Sequence, residues 1–221
     1  MPNYSSGMGL IKICGLSEES TLQVAIDAGA NFIGLVHFPK SPRHLSLARA
    51  AELKRLIAAP VQSVMVLVDA DDDLLRDVIA TVSPDYIQLH GHETPSRVAE
   101  IRKQFPAQKF IKAIAVRSGD DIAAAHAFEP FVDMLLFDAK PAENATLPGG
   151  NGLSFDWALL KGRQFTVPWL LSGGLTPDNV ADAIHQTQPY GVDVSSGVER
   201  AAGVKDVVLI TTFISAAKNQ T

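Results

Sequence analysis

Short apolar runs alternate with segments of helical periodicity along nearly the whole chain. Each apolar run ends at a glycine, a serine or a reactive side chain, as a buried strand of a parallel sheet does. The first helical segment begins around Ser17, Glu18 and Glu19 and ends at Ala28, with Gly29 as its cap. The runs predict the strands Leu10–Cys14, Phe32–His37, Ser63–Val68, Tyr86–Leu89, Phe110–Ala115, Met134–Asp138, Trp169–Ser172 and Val192–Val194.

The fold class follows from this repetition of strand and helix. Eight βα units close most simply as an α/β fold of the (β/α)8 TIM barrel type. A doubly wound open sheet is the alternative, but no Gly-rich dinucleotide-binding turn follows the first strand. The chain has 221 residues and no internal linker, so we predict a single domain over residues 10–221. A flexible tail over residues 1–9 is expected to precede it.

Two clusters of small residues lie one helix apart near the end of the chain. Gly173 and Gly174 follow the seventh strand, and Ser195, Ser196 and Gly197 follow the eighth. Glycines bring the backbone N–H groups close to a ligand, and serine hydroxyls add donors. In a (β/α)8 barrel these two loops commonly hold a phosphate. We predict a phosphate site here, with two ordinary glycine turns as the alternative.

The composition limits the kinds of partner that the protein is expected to bind. The formal net charge is −5, whereas a nucleic-acid-binding protein presents a basic face. No apolar run is long enough to span a membrane, and the first nine residues lack the pattern of a signal peptide. The chain has a single cysteine, which fits a reducing cytoplasm. We therefore expect a cytoplasmic protein that binds neither nucleic acid nor membrane, with a local site for an anionic substrate.

Two strands end in groups that transfer protons. Cys14 ends the first strand and Asp138 the sixth, so both face the catalytic end of the barrel. A thiolate and a carboxylic acid on different sides of the mouth suit general acid–base catalysis. The alternatives are a buried core cysteine, and an aspartate that caps a turn or pairs with Lys140. Lys12 is expected either to pair with Asp193 or to lower the proton affinity of the thiol.

Further candidates lie in the loops after other strands. Arg43, in a proline-stiffened loop, is suited to bind a carboxylate, although a solvated loop arginine is the alternative. His90 is expected to line the pocket, because His90 and His92 alone are too few ligands for a metal site. The acidic run 69–73 is interpreted as the start of a helix rather than a cation loop. The long glycine-bearing connection 139–153 is either a lid or a floppy insertion.

Several motifs occur together in an order that is highly specific. They are Lys12-Ile-Cys-Gly15, Pro39-Lys-Ser-Pro-Arg43, Gln88-Leu-His-Gly91, Phe137-Asp138, Gly149-Gly-Asn-Gly152 with Phe155-Asp-Trp157, Leu171-Ser-Gly-Gly-Leu175 and Val192-Asp-Val-Ser-Ser-Gly-Val-Glu199. With this set the chain resembles the phosphoribosylanthranilate isomerase family of tryptophan biosynthesis, over nearly its whole length.

The resemblance implies an Amadori rearrangement of N-(5-phosphoribosyl)anthranilate, with no cofactor and no metal. It implies that Cys14 is the general base at C2′ and that Asp138 is the general acid at the ring oxygen. Arg43 would bind the anthranilate carboxylate, and the two glycine–serine loops would hold the phosphate. The ligand is therefore expected to be a small phosphosugar bearing an anthranilate group, and the protein a monomer or a homodimer.

Three other functions are weighed against this one. The related isomerase of histidine biosynthesis carries Asp in place of Cys14 and usually a second phosphate cup, which segment 91–95 does not offer. Indole-glycerol-phosphate synthase would need an extra N-terminal helical segment, which the first nine residues cannot supply. A non-catalytic phosphosugar-binding barrel would leave Cys14 and Asp138 unexplained.

Overall fold

Parallel strands close into an eight-stranded barrel in the computed structural model, which describes residues 9–139 and 154–220. The strands are β1 (Leu10–Cys14), β2 (Phe32–Val36), β3 (Gln62–Leu67), β4 (Tyr86–Leu89), β5 (Lys109–Val116), β6 (Met134–Ala139), β7 (Trp169–Leu171) and β8 (Gly191–Val194). They pair in chain order, and β8 returns to β1. The predicted barrel is confirmed, and each strand end lies within one residue of its predicted position.

Helices surround the barrel. Within the described residues the α-helices are α1 (Glu19–Ala28), α2 (Leu47–Lys54), α3 (Asp72–Thr81), α4 (Pro95–Gln104), α5 (Gly119–Ala124), α6 (Val180–Thr187) and α7 (Val207–Lys218). Gly29 caps α1 in the left-handed conformation, with φ 95°, as predicted. Asp71 caps α3 by accepting from the Leu74 amide, so the acidic run does begin a helix. None of these helices is long and apolar enough to cross a bilayer.

The segments after β5 and β6 contain 3₁₀ turns. After β5, the short helix α5 gives way to 3₁₀ turns at Ala125–Ala127 and Glu129–Phe131, and Pro130 lies in the first turn of the second of these. After β6, the described residues contain a 3₁₀ turn at Trp157–Leu160, and Gly162 follows it at φ 73°. The predicted helical segment after β5 is thus present as a short α-helix, and the described residues after β6 form this 3₁₀ turn.

The barrel interior is layered because alternate strand residues face inward. A lower apolar layer consists of Phe32, Val64, Tyr86, Ile111, Ala113, Met134, Leu136 and Leu170. Nearer the carboxyl ends of the strands, Lys12 and Asp193 are paired positions on β1 and β8. Cys14 lies two residues beyond Lys12 on the same face. Polar chemistry is thus concentrated at the carboxyl-terminal mouth of the barrel.

A small antiparallel ribbon follows β8. It pairs β9 (Glu199–Ala201) with β10 (Val204–Lys205) before α7 begins. Gly203 lies in the connecting turn at φ 79°, a conformation that glycine adopts without strain. This ribbon was not predicted from the sequence, because its strands are short and mostly polar.

Two of the predicted segments fall outside the described residues. The connection 140–153, interpreted as a lid or an insertion, is one of them, and it includes Lys140 as the alternative partner of Asp138. The tail is the other, apart from Gly9, which donates to the Tyr190 carbonyl. Both interpretations stay predictions.

Candidate active site

Cys14 lies at the mouth of the barrel, where β1 ends. It is 7% exposed and packs with Val36 of β2 and Val66 of β3. Gly34 makes room for it, because a Cβ at that position would lie 2.7 Å from the thiol sulfur. Burial raises the pKa of the Cys14 thiol, and the Lys12 ammonium opposes this rise. The thiol therefore depends on nearby cations to reach its thiolate form.

Lys12 fills the layer beneath the thiol and is completely buried. Its Nζ lies 2.7 Å from Asp193 Oδ1, and Asp193 Oδ2 accepts from the Ser172 hydroxyl at 2.9 Å. Although burial disfavours the ammonium, Asp193 raises the pKa of Lys12 above its ordinary value. The predicted pairing with Asp193 is confirmed. The charge of the Lys12 ammonium also lowers the pKa of the Cys14 thiol, so Lys12 acts on the thiol as well.

This arrangement predicts how the thiol titrates. In a Lys12→Met/Asp193→Asn variant the pKa of Cys14 should rise further, because Lys12 lowers it by more than Asp193 raises it. Cys14 is the single cysteine, so ultraviolet absorbance of the thiolate against pH reports this group once the absorbance of Cys14→Ala is subtracted. A lower pKa in the double variant would show that Asp193 dominates the thiol.

Asp138 lies at the end of β6, buried to the same extent as Cys14. Its Oδ1 accepts from the Ala139 amide at 2.9 Å, and its Oδ2 lies 3.3 Å from His90 Nε2. The other ring nitrogen of His90 lies 2.6 Å from Gln88 Nε2. Because the Gln88 amide donates there, the ring proton is placed on Nε2, facing the carboxylate. His90 therefore lines the mouth, as predicted, beside the expected general acid.

The two histidines of the His90-Gly-His92 motif face different partners. His92 is exposed and lies 3.3 Å from Asp69 through its Nδ1. His90 faces Asp138 and Gln88 instead. Over residues 9–139 and 154–220, no three His, Cys, Asp or Glu side chains cluster as metal ligands would.

Arg43 is buried beside the end of β1 rather than solvated, so the alternative of a solvated loop arginine is wrong. Its Nε lies 2.7 Å from Glu199 Oε1 and its Nη2 lies 2.8 Å from Oε2. The guanidinium thus has the bidentate geometry expected for a carboxylate, but the carboxylate it binds here belongs to the chain. A guanidinium has five N–H donors, and Glu199 occupies one edge of it.

The two predicted phosphate loops come together at the mouth. Gly173 and Gly174 have φ values of 86° and 67°, which favour glycine. A Cβ on Gly197 would lie 1.9 Å from the Leu175 carbonyl oxygen, so the loop after β8 abuts the loop after β7. Ser196 begins a 3₁₀ turn directly after Ser195. The candidate residues from both loops therefore lie next to one another at the mouth.

Sequence reasoning missed several buried charged residues around the mouth. Lys205 of β10 donates to the Ser195 carbonyl and to Glu199. Lys112 of β5 donates to the Gly91 carbonyl and to Glu93, which in turn accepts from the Gly91 amide. For Lys112 the sequence did contain a signal, which is its position within an apolar strand. A buried cation requires a partner, so an acidic residue near Lys112 could have been expected.

Comparison with known proteins was consistent in sequence and in structure. Residues 11–216 match the family model described as N-(5'-phosphoribosyl)anthranilate isomerase. A relative from Paracoccus denitrificans named N-(5'-phosphoribosyl)anthranilate isomerase is 52% identical over 207 residues, covering 94% of this chain and 96% of the relative.

Solved structures agree with this similarity. One holds monomers generated from the dimeric phosphoribosylanthranilate isomerase of Thermotoga maritima, with 33% identity and a TM-score of 0.81, covering 96% of this chain and 100% of that one. Another is a phosphoribosylanthranilate isomerase in complex with reduced 1-(o-carboxyphenylamino)-1-deoxyribulose 5-phosphate, with 32% identity, a TM-score of 0.82 and the same coverage.

Proposed function

The chain belongs to the N-(5'-phosphoribosyl)anthranilate isomerase family and is an isomerase of tryptophan biosynthesis, and we propose that Cys14 and Asp138 transfer the protons of its reaction. That reaction converts N-(5'-phosphoribosyl)anthranilate into 1-(2-carboxyphenylamino)-1-deoxyribulose 5-phosphate. One observation carries the proposal: both side chains lie buried at the carboxyl ends of barrel strands. Catalytic groups of (β/α)8 enzymes come from this end.

Asp138 acts in the first step, as the acid. Its carboxylic acid gives a proton to the furanose ring oxygen, the bond from that oxygen to C1′ breaks, and the nitrogen lone pair forms an iminium. Asp138 is left as a carboxylate. His90 Nε2, 3.3 Å away, faces the charge that develops there and stabilises it.

Cys14 acts in the second step, as the base. Its thiolate takes the proton from C2′, and the electrons of that C–H bond form the C1′–C2′ double bond and neutralise the iminium. The resulting enolamine tautomerises to the ketone. The two groups recover their starting forms when a proton leaves the thiol and another returns to Asp138. The proton count balances without a cofactor, and Lys12 supports the thiolate from below.

The remaining candidates bind the substrate. Arg43 is proposed to face the anthranilate carboxylate, while Gly173, Gly174, Ser195, Ser196 and Gly197 hold the phosphate. Every side chain named here belongs to one chain, so the mechanism suits a monomer or a homodimer. We place the reaction in the cytoplasm, because a catalytic thiol must stay reduced.

The experiment for this proposal follows the fluorescence of the substrate. Addition of the purified protein to phosphoribosylanthranilate should remove the fluorescence of its anthranilate group as product forms. Variants of Cys14 and Asp138 should slow this loss of fluorescence. Variants of the binding loops should mainly raise KM, the substrate concentration that gives half of the maximal rate. Full activity in both catalytic variants would contradict the assigned roles.

The phosphate assignment makes a separate prediction. Ser196→Asp should raise KM by much more than it lowers kcat, because it places a carboxylate where a dianionic phosphate binds. Ser196→Asn is the matched control, because it has a similar shape without the charge. Steady-state kinetics of the two variants separate charge from bulk, and an unchanged KM in Ser196→Asp would place the phosphate elsewhere.

A further inference from the structure

Glu199, at the start of β9, is the centre of a buried hydrogen-bond network beside the mouth. It accepts from Arg43 Nε at 2.7 Å, Arg43 Nη2 at 2.8 Å, Lys205 Nζ at 2.7 Å and the Gly203 amide at 3.1 Å. Burial favours the neutral acid, but the hydrogen bond from Arg43 and the charge of Lys205 hold the pKa of Glu199 below its ordinary value. The side chain is therefore an ionised carboxylate with both oxygens engaged.

The network fixes where Arg43 points. The arginine side chain crosses the end of β1, where a Cβ on Gly15 would lie 2.5 Å from Arg43 Cδ and 3.2 Å from Ser195 Oγ. Gly15 directly follows Cys14, so the guanidinium is held beside both the proposed base and a phosphate loop. An arginine loses much rotamer freedom when it binds a ligand, and an arginine that is already immobilised loses less.

Glu199 is itself held on both sides. Lys205, which donates to it, also donates to the Ser195 carbonyl at 2.8 Å and lies 3.3 Å from the Ser195 hydroxyl. The ribbon of β9 and β10 carries both partners, so Glu199 cannot move without disturbing the loop after β8. The carboxylate therefore holds Arg43 in a fixed position relative to the phosphate loop.

We propose that Glu199 is a positioning residue, which aims Arg43 at the carboxylate of the substrate and so sets the preference for a carboxylated ring. The proposal rests on the proposed function, from which the role of Arg43 is taken. Glu199 contacts no reacting atom in this scheme, because it acts through Arg43. Its loss should therefore weaken recognition of the carboxylate while the proton transfers continue.

The experiment compares two inhibitors. One is reduced 1-(o-carboxyphenylamino)-1-deoxyribulose 5-phosphate, and the other is the same molecule with a phenyl ring that lacks the carboxylate. The unaltered protein should bind the first at least about tenfold more tightly, as expected for one charge-assisted hydrogen-bond pair. Glu199→Gln should lose most of this ratio and raise KM, with kcat within about threefold of the parent.

Glu129→Gln is the matched control. Glu129 is also a buried carboxylate with several donors, His126 and Thr166, but it precedes β6 at the opposite end of the barrel. Its variant should keep the inhibitor ratio even where its thermal stability falls. If Glu199→Gln does not fold, Glu199→Asp serves instead, because the shorter side chain keeps the charge but reaches the guanidinium less well. It should also show a reduced ratio.

Arg43→Ala distinguishes a failure of the proposed function from a failure of the positioning role of Glu199. If Arg43→Ala keeps the inhibitor ratio, Arg43 does not bind the carboxylate, and the proposed function fails at this residue together with the role of Glu199. If Arg43→Ala loses the ratio while the Glu199 variant keeps it, the positioning role alone is overturned. Loss of the ratio in both, with the Glu129 variant unchanged, is the expected result.

Discussion

Cys14→Ala and Asp138→Asn should each lower kcat by at least ~10², the lower end of the effect of deleting a general acid or base. Ring opening needs a proton delivered to the ring oxygen, and the following step needs one removed from C2′, so neither group can replace the other. Binding of the reduced product analogue should stay within a few fold of the parent, because proton transfer contributes to the transition state alone. Stopped assays of fluorescence loss give kcat, and calorimetry gives the affinity.

Two further substitutions at position 14 test the chemistry rather than the packing. Cys14→Ser matches the thiol in shape, yet it should stay inactive because a hydroxyl is far too weak a base. Cys14→Asp should recover part of the activity, because a carboxylate at this strand end still accepts a proton. If Cys14→Ala keeps activity within about tenfold of the parent, well short of the general-base range, the thiol is a packing residue and His90 becomes the base to examine.

The barrel and its mouth were predictable because the relevant information is local. A buried parallel strand is recognisable in the sequence as an apolar run, and this run stops where the chain leaves the barrel. That stop placed Cys14, Asp138 and Ser195 at the same end of the fold without knowledge of any contact. Barrel closure adds one long-range rule, that β1 lies beside β8. It predicted the Lys12–Asp193 pair across 181 residues of sequence.

The network around Arg43 was not predictable in the same way. Arg43 and Glu199 are 156 residues apart and lie in a loop and a short ribbon, where no regular pairing rule applies. From the sequence, the Arg43 guanidinium was expected to bind the carboxylate of the substrate alone. The geometry adds a carboxylate of the chain itself. Loop side chains of this kind meet through tertiary packing, which neither periodicity nor spacing encodes.

Lys12→Met should lower the free energy of unfolding by about 3–5 kcal/mol, the cost of leaving one member of a buried ion pair uncompensated. Asp193 would then keep the Ser172 hydroxyl as its remaining donor among the contacts described here. Lys12→Met/Asp193→Asn should recover most of the loss, because it removes both charges and keeps an oxygen for Ser172. Equilibrium urea unfolding of the single and double variants measures the coupling. Arg76→Met, which breaks an exposed pair with Asp73, should cost at most about 1 kcal/mol.

The stability contributed by the Lys12–Asp193 pair depends on pH in a definite direction. Asp193 raises the pKa of Lys12 in the folded protein, so the pair contributes its full stability below the pKa of an unfolded lysine, ~10.4, and loses it only as pH rises through the folded value. Measured with Cys14→Ala in both proteins, so that the thiol does not titrate, the stability gap between the protein with the pair and the protein with Lys12→Met/Asp193→Asn should therefore stay level from neutral pH to about pH 10. A gap that closes within that range would mean that the ammonium loses its proton there. Lys12 would then be neutral over part of this pH range, and it would no longer stabilise the Cys14 thiolate there.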